Sequence, residues 1–403
     1  MLDESLADPA VYWSRLFWSA LWFTLGITVA AGVLWRVREH LTERRIAAAF
    51  RGAFTLLLYT IVAALVLGTF ATRWGFRGDS PHWGLEKMLA YEARQPFAYR
   101  VLSPTLINAG ISIVPRSYVE RHREWFLEET PVLRYRHRNE SWDLDKSVAW
   151  HVAYLYLFLS LMIALYAARA VTRETGPGPP LLSDTAPAIG LLFLPMSFLF
   201  GGYLYDFAEL AFLFVCLLTM LRSQWALYYF AFVLALLNKE SNILVVVYFA
   251  AICWDRMDRR ELVAHLGAQL LIGAIILIAL RIVFSDNGGG PAEFWMSLNA
   301  LFWLQPETYL RFDRPYAALI PTPRSANLIS LFLVSSIVAT GWRACPPPLR
   351  RLALFSAGVN LPLFLIWGFL DEVRNLSLTF PALYLLGCYA IPQLWTGASD
   401  GRR

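Results

Sequence analysis

The stretch YLYDFAELAFLFVCLLTMLRSQWALYYFAFVLALLNKESNILVVVYFAAICW (203–254) packs apolar blocks 207–222, 225–238 and 242–254 into one short run of chain. Each block approaches the roughly 20 residues that cross a bilayer at 1.5 Å per residue. A backbone surrounded by hydrocarbon has to satisfy its own hydrogen bonds, so such blocks are expected to be helices. Outward from this stretch the pattern repeats over 16–35, 53–71, 148–168, 186–204, 262–284, 326–342, 352–370 and 376–392. The sequence therefore predicts an all-α integral membrane protein, a polytopic helical bundle of about eleven transmembrane helices. The pair 225–238 and 242–254 also fits one broken helix.

Composition agrees. Of 403 residues, 57% are hydrophobic and 16% charged, against about 45–50% and about 25% in soluble domains. The 16 Trp, 18 Tyr and 27 Phe suit interfacial aromatic belts and an aromatic-lined cavity. The net charge of +5 is no nucleic-acid signal, because most basic residues fall in short loops between apolar blocks. Lys87, Lys146 and Lys239 are the only lysines, a bias that suggests a GC-rich bacterial genome. Cys216, Cys253, Cys345 and Cys388 lie in or beside apolar blocks without metal-type spacing and are expected to be small core residues. The acidic start MLDESLADP lacks the basic region of a cleavable signal, so 16–35 is expected to remain as a span.

Short loops set the orientation. Arg36, Arg38, Arg44, Arg45 and Arg51 fill the first connection, and Arg169 and Arg173 precede GPGPP (176–180). Arg222, then Arg256, Arg259 and Arg260, then Arg343, Arg350 and Arg351 follow. If every block crosses once, these sets share one side, which the positive-inside rule makes cytoplasmic. In a bacterial plasma membrane the N-terminus is then expected outside and the C-terminus in the cytoplasm. Two long extracytoplasmic loops result, 72–147 and 285–325, within a single polytopic domain. In the first, VLSPTLINAGISIVP (101–115) is apolar but too short to cross, so it reads as a re-entrant or interfacial helix. In the second, FWMSLNALFW (294–303) reads as an amphipathic helix along the interface.

Charges within the apolar runs gather at the outer face under this topology. They are Asp206 and Glu209 in YLYDFAEL, Lys239 and Glu240 in LNKES, and Asp371, Glu372 and Arg374 in FLDEVRN. Even a lenient insertion scale puts a charge at the bilayer centre at about 2.5–3.5 kcal/mol, so such residues pair or line a wet cavity. Each cluster alone could be an ordinary interfacial turn. Their convergence beside the first outer loop favours a shared external pocket.

That loop supplies further candidates. In RGDSPHW (77–83) the turn chemistry of Gly-Asp-Ser-Pro places the Asp79 carboxylate on a defined bend, with His82 nearby. The alternative is that Asp79 caps a helix from Trp83 onward, and a lone loop histidine is more often incidental. In QPFAYRVLSP (95–104), Pro96 and Pro104 bracket an element that projects Arg100 at the membrane surface. A guanidinium fork suits a lipid phosphate, and it equally suits snorkelling to headgroups.

The order of these elements carries a resemblance. An acidic residue in the first large outer loop is followed by PFAYRVLSP, Tyr205-Asp206, Asn238-Lys239-Glu240 and Glu372-Val373-Arg374. Over most of its length the chain resembles bacterial polytopic proteins related to GT-C-type glycosyltransferases. The resemblance implies a sugar donor carried on polyprenyl phosphate or pyrophosphate, reaction at the outer membrane face, and a glycan, lipid or protein acceptor. It also implies a catalytic acidic residue in the first outer loop, here best matched by Asp79; a carboxylate must take the proton of the acceptor hydroxyl, and Asp79 is the first candidate for that base and Asp206 the second. The chain departs from the pattern in having 16–35 ahead of that loop and a lone Asp79 where an acidic pair is usual. Arg100, Lys239 and Arg374 are the expected phosphate-binding cations, with His82 a further candidate, and Glu209, Glu240 and Glu372 supporting. Some relatives use a divalent metal, but no ligand spacing here demands one. The competing function is a transporter or flippase of a lipid-linked or small anionic substrate, which also uses polar breaks in helices. Against it, the sequence has no internal repeat, and its polar breaks sit at one face rather than the midplane.

Overall fold

A computed structural model describes residues 43–135, 141–176, 178–192, 202–290, 294–313, 322–370 and 372–395. The expected span 16–35, the acidic start, part of 186–204, Asp371 and the C-terminal tail lie outside them. The regular structure of the described residues is helical apart from one two-residue antiparallel pairing of Phe312–Asp313 with Thr322–Pro323 and an isolated bridge between Gln95 and Gly289. The chain divides into two units, Met1–Leu58 and Tyr59–Arg403. The first contributes the start of helix α1 (Glu43–Arg73), where Thr55 Oγ1 donates to Arg51 O at 2.8 Å and Leu56 and Leu57 are exposed.

In the second unit, α2 (Leu85–Leu89), α3 (Leu102–Ile113) and α4 (Arg116–Arg121) precede α5 (Leu144–Thr175). Asp143 caps α5 by accepting from Lys146 N at 2.8 Å, and Gly176 ends it in a left-handed conformation. Leu155, Leu159, Ile163 and Tyr166 form an exposed stripe on α5, while Leu157, Leu161, Ala164 and Ala168 are buried. Such a large exposed apolar stripe needs a lipid solvent. The same holds for α10 (Arg259–Val283), where Leu271, Ile275, Ile278 and Ile282 are exposed. The chain is a membrane protein built of helices.

Helices α1, α5, α10 and α13 (Pro347–Trp367) have stretches long and apolar enough to cross a bilayer. Between them lie shorter helices: α6 (Pro180–Leu192), α7 (Asp206–Leu221), α8 (Trp225–Asn238), α9 (Val245–Cys253), α12 (Leu328–Ala344) and α14 (Phe380–Trp395). α7 is buried on nearly every face, packed by α5, α8 and α9, which explains its uninterrupted apolar sequence. The broken-helix alternative for 225–254 gives way to a hairpin. The chain reverses at Lys239, and the turn brings Phe249 of α9 back to Trp225 at the start of α8, their rings 5.5 Å apart. The two expected short helices both form, α3 within 101–115 and α11 (Met296–Leu304) over most of 294–303 and one residue beyond it. On α11, Leu298, Leu301 and Leu304 are exposed while Asn299 and Phe302 are buried.

The bundle has two chemically distinct ends. At one, Arg169 Nε and Arg173 Nη2 donate to Asp184 Oδ1 at 2.7 and 2.9 Å, and Arg222 Nε donates to Glu174 Oε1 at 2.7 Å. There too, Arg256 donates to the carbonyls of Met220 and Leu221, and Arg351 pairs with Asp255 at 2.6 Å. The arginines of these short connections thus converge on one end, as their spacing in sequence predicts. The other end gathers Arg100, the start of α7, the α8–α9 reversal and the 3-10 turn Val373–Thr379 before α14. There Asn238 Oδ1 accepts from Ser103 Oγ at 2.8 Å, and that hydroxyl bonds Tyr156 OH at 2.7 Å. This layer is therefore level with Tyr156, about 28 Å along α5 from Thr175 at about 1.5 Å per residue. A hydrocarbon core is about 30 Å thick.

Candidate functional site

Four sequence segments build the layer. The 3-10 turn Phe97–Tyr99 delivers Arg100, whose Nε and Nη2 donate to Glu240 Oε2 and Oε1 at 3.1 and 2.7 Å. Its Nη1 donates to Tyr205 OH, and its guanidinium lies 4.2 Å from the Tyr205 ring centroid. Asp206 and Glu209 stand three residues apart on the first turn of α7, where the helix N-terminus favours carboxylates. Lys239 has extended backbone at the hairpin reversal, and its Nζ donates to Glu209 Oε2 at 2.6 Å and Asp206 Oδ1 at 3.4 Å. Arg374 donates from Nη1 to Asp206 Oδ2 at 3.3 Å and from Nη2 to Glu372 Oε1 at 2.5 Å. Tyr203 N also donates to Asp206, Ser377 Oγ to Glu209, and Asn375 Nδ2 to Glu372, at 2.8, 2.8 and 2.9 Å.

Arg100, Asp206, Glu209, Lys239, Glu372 and Arg374 are buried, and Glu240 is half-buried. The snorkelling alternative for Arg100 therefore does not describe the folded chain. Three cations meet four carboxylates in this network. Pairing offsets the large cost of desolvating each charge, so the members hold one another in place. Among the described residues Arg374 Nε, which is buried, has no hydrogen-bond partner.

An aromatic cluster lies against this network. The Tyr203 ring centroid is 5.1 Å from those of Trp83 and Phe97 and 6.4 Å from that of Trp74, and Trp74 stacks on Trp83 at 5.7 Å. Arg374 lies over Tyr203 at 4.4 Å and Arg100 over Phe97 at 4.8 Å. Against Trp74 and Trp83 rests Arg77, whose guanidinium is 4.5 and 5.4 Å from their centroids. Arg77 holds Asp79 with both arms, Nε to Oδ1 at 2.8 Å and Nη2 to Oδ2 at 3.1 Å. Its own backbone has φ +48°, strained for a residue with a side chain. The loop closes tightly around it: Ser80 N donates to Arg77 O at 2.9 Å, and a Cβ at Gly84 would meet that oxygen at 2.4 Å.

The structure thus gathers Arg100, Asp206, Glu209, Lys239, Glu240, Glu372 and Arg374 into one network. Asp79 and His82 are not part of it. Both are exposed on the 76–85 loop, connected to the network through the aromatic cluster. Asp79 does not cap a helix. α2 starts at Leu85, and its N-cap residue is Gly84. Among the described residues no group of His, Cys, Asp or Glu side chains is arranged to hold a metal ion; the carboxylates of the network face cations instead.

The two long segments 72–147 and 285–325 meet through hydrogen bonds. Gln95 N donates to Gly288 O at 2.8 Å and Gln95 Nε2 to Phe284 O at 2.8 Å, while Asn287 Nδ2 donates to Tyr91 O and Ala93 O at 3.0 and 2.8 Å. On the same segment Lys87 donates to Glu92, and that bond holds the exposed Glu92 carboxyl below the usual range. Protein-family models, curated proteins and solved structures were all compared with the chain. None matches.

Sequence reasoning missed Arg77, Trp74, Trp83, Phe97, Tyr203 and Tyr205 as members of the site. Tyr203 and Tyr205 precede Asp206 closely enough to have been suspected. Aromatic residues are so common in this chain that no single one stands out.

Proposed function

We propose that the protein is a membrane glycosyltransferase that moves a sugar from a polyprenyl-phosphate or pyrophosphate donor to an acceptor at the extracytoplasmic face. Its bundle is GT-C-like with about eleven spans, in a bacterial plasma membrane, with the N-terminus outside and the C-terminus in the cytoplasm. The observation that carries this reading is the convergence of Arg100, Lys239 and Arg374 at the end opposite the arginine-rich loops. The distance between the two ends, about one hydrocarbon thickness, supports a position for these cations at the depth of a lipid phosphate.

In the reaction, an acceptor hydroxyl attacks the anomeric carbon while the bond from that carbon to the phosphate oxygen breaks. The hydroxyl proton passes to a carboxylate, and the polyprenyl phosphate leaves with the electron pair. Arg374, through its unpartnered Nε, and Arg100 stabilise the charge that grows on the leaving phosphate. Lys239 acts mainly by holding Asp206 and Glu209. Asp79 takes the proton: it is exposed to an incoming hydroxyl, whereas Asp206 is buried among cations. The transporter reading has less support, because the polar layer sits at one end of the bundle.

The test is to incubate the purified protein in lipid with a panel of polyprenyl-phosphate sugars and follow each donor. One donor should be consumed by the wild type and spared by Asp79→Asn. No consumption of any polyprenyl-phosphate or pyrophosphate sugar would overturn the proposal.

A further inference from the structure

Resting on the transferase reading, we infer that the aromatic cluster of Trp74, Trp83, Phe97 and Tyr203 is the subsite for the donor's pyranose ring. The sugar would lie between the phosphate at Arg374 and the acceptor hydroxyl at Asp79.

The first support is position. The cluster borders the buried cations on one side, through Arg374 over Tyr203 and Arg100 over Phe97, and Arg77 with its bound Asp79 on the other. A glycosyl phosphate has the same order of parts: phosphate, sugar ring, then the attacking hydroxyl. The second is accessibility. The network residues Arg100, Asp206, Lys239 and Arg374 are buried, yet all four rings are only half-buried. They come from three separate segments, which the fold must bring together. An aromatic face suits the apolar C–H face of a pyranose, in the same way that it packs against other apolar surfaces.

The third is unsatisfied hydrogen bonding. Among the described residues, Nε of Arg374, a side chain only 9% exposed, has no hydrogen-bond partner, and neither has Trp74 Nε1. Both side chains contact the Tyr203 ring. A buried donor left unpaired is costly, and native structures rarely keep one without a reason. Two such donors beside one ring call for a ligand rich in acceptor oxygens, with an apolar face between them. A sugar phosphate has both.

The experiment compares wild type, Trp83→Leu and Trp83→Phe, each in detergent and each shown to be monodisperse. The probes are farnesyl phosphate and its glucosyl, mannosyl and N-acetylglucosaminyl phosphodiesters, with binding read by calorimetry. The wild type should bind at least one glycosylated probe on the order of tenfold tighter than bare farnesyl phosphate. Trp83→Leu should remove that preference while leaving the affinity for bare farnesyl phosphate within about twofold, and Trp83→Phe should keep part of it. If the wild type bound every glycosylated probe no better than the bare one, the subsite would be refuted while the phosphate site stood. A Trp83→Leu variant that kept the preference, or lost both affinities equally, would also refute it. Failure of the wild type to bind any probe would remove the transferase reading as well.

Discussion

Replacing Lys239 with methionine keeps most of the side-chain volume and removes one buried charge. The structure specifies which neighbour suffers. Asp206 keeps Tyr203 N at 2.8 Å and Arg374 Nη1 at 3.3 Å, so it stays compensated. Glu209 loses its 2.6 Å bond and retains Ser377 Oγ as its remaining donor, with only 3% of its surface exposed. Removing one partner of a buried pair costs about 3–5 kcal/mol, mostly through the charge left behind. Lys239→Met should therefore destabilise the protein by about that amount. The double variant Lys239→Met/Glu209→Gln, which discharges the stranded carboxylate, should recover at least roughly half of the loss. The assay is unfolding in mixed micelles with rising SDS, followed by tryptophan fluorescence, with the single and double variants and Glu209→Gln alone completing the cycle. A double variant as unstable as Lys239→Met would refute the claim that Lys239 works chiefly as a counter-charge for Glu209.

Arg100→Ala should cost roughly 2 kcal/mol or more in the same assay by stranding Glu240, and Arg100→Lys should restore only part, because a point charge cannot reproduce the two-armed contact. Equal stability of all three proteins would contradict the assignment. Gly289→Ala should loosen the joint between segments 72–147 and 285–325, since φ is +104° there and the new Cβ would meet Gln95 O at 2.7 Å. Faster hydrogen exchange at the Gln95 amide is the expected sign, and unchanged protection would count against it. Reporter fusions within 36–52 and 255–261 should register cytoplasm and those within 72–147 and 285–325 the outside; a cytoplasmic 72–147 would put the proposed site in the wrong compartment.

Much of the charged network was legible because each member is costly in an apolar run. Asp206, Glu209, Lys239, Glu240, Glu372 and Arg374 stood out for that reason, and Arg100 did so through its flanking prolines. The pairing among them was not legible, because it depends on how α7 meets the α8–α9 reversal and the turn after α13. Lys239 looked like a free cation and is instead clasped by two carboxylates. Arg77 was hidden beside a more conspicuous Asp79, and its importance rests on a strained φ and on two tryptophan rings nine residues apart in sequence. Helix boundaries shifted where polar residues fold into helices, as at α5, which starts at Leu144 rather than 148. Short apolar blocks such as 225–238 gave helices, but block length alone does not distinguish a lipid-crossing helix from an interior one like α7.

The most direct test separates binding from turnover at the two ends of the proposed site. With the donor that the wild type consumes, affinity and single-turnover rate are measured for Asp79→Asn and Arg374→Ala, both checked for wild-type insertion. Asp79→Asn should bind the donor as the wild type does and turn over about 10²–10⁴-fold more slowly, as loss of a general base predicts. Arg374→Ala should weaken both, because the phosphate is present in ground and transition states alike. Wild-type turnover by Asp79→Asn, or unchanged donor affinity in Arg374→Ala, would contradict the account.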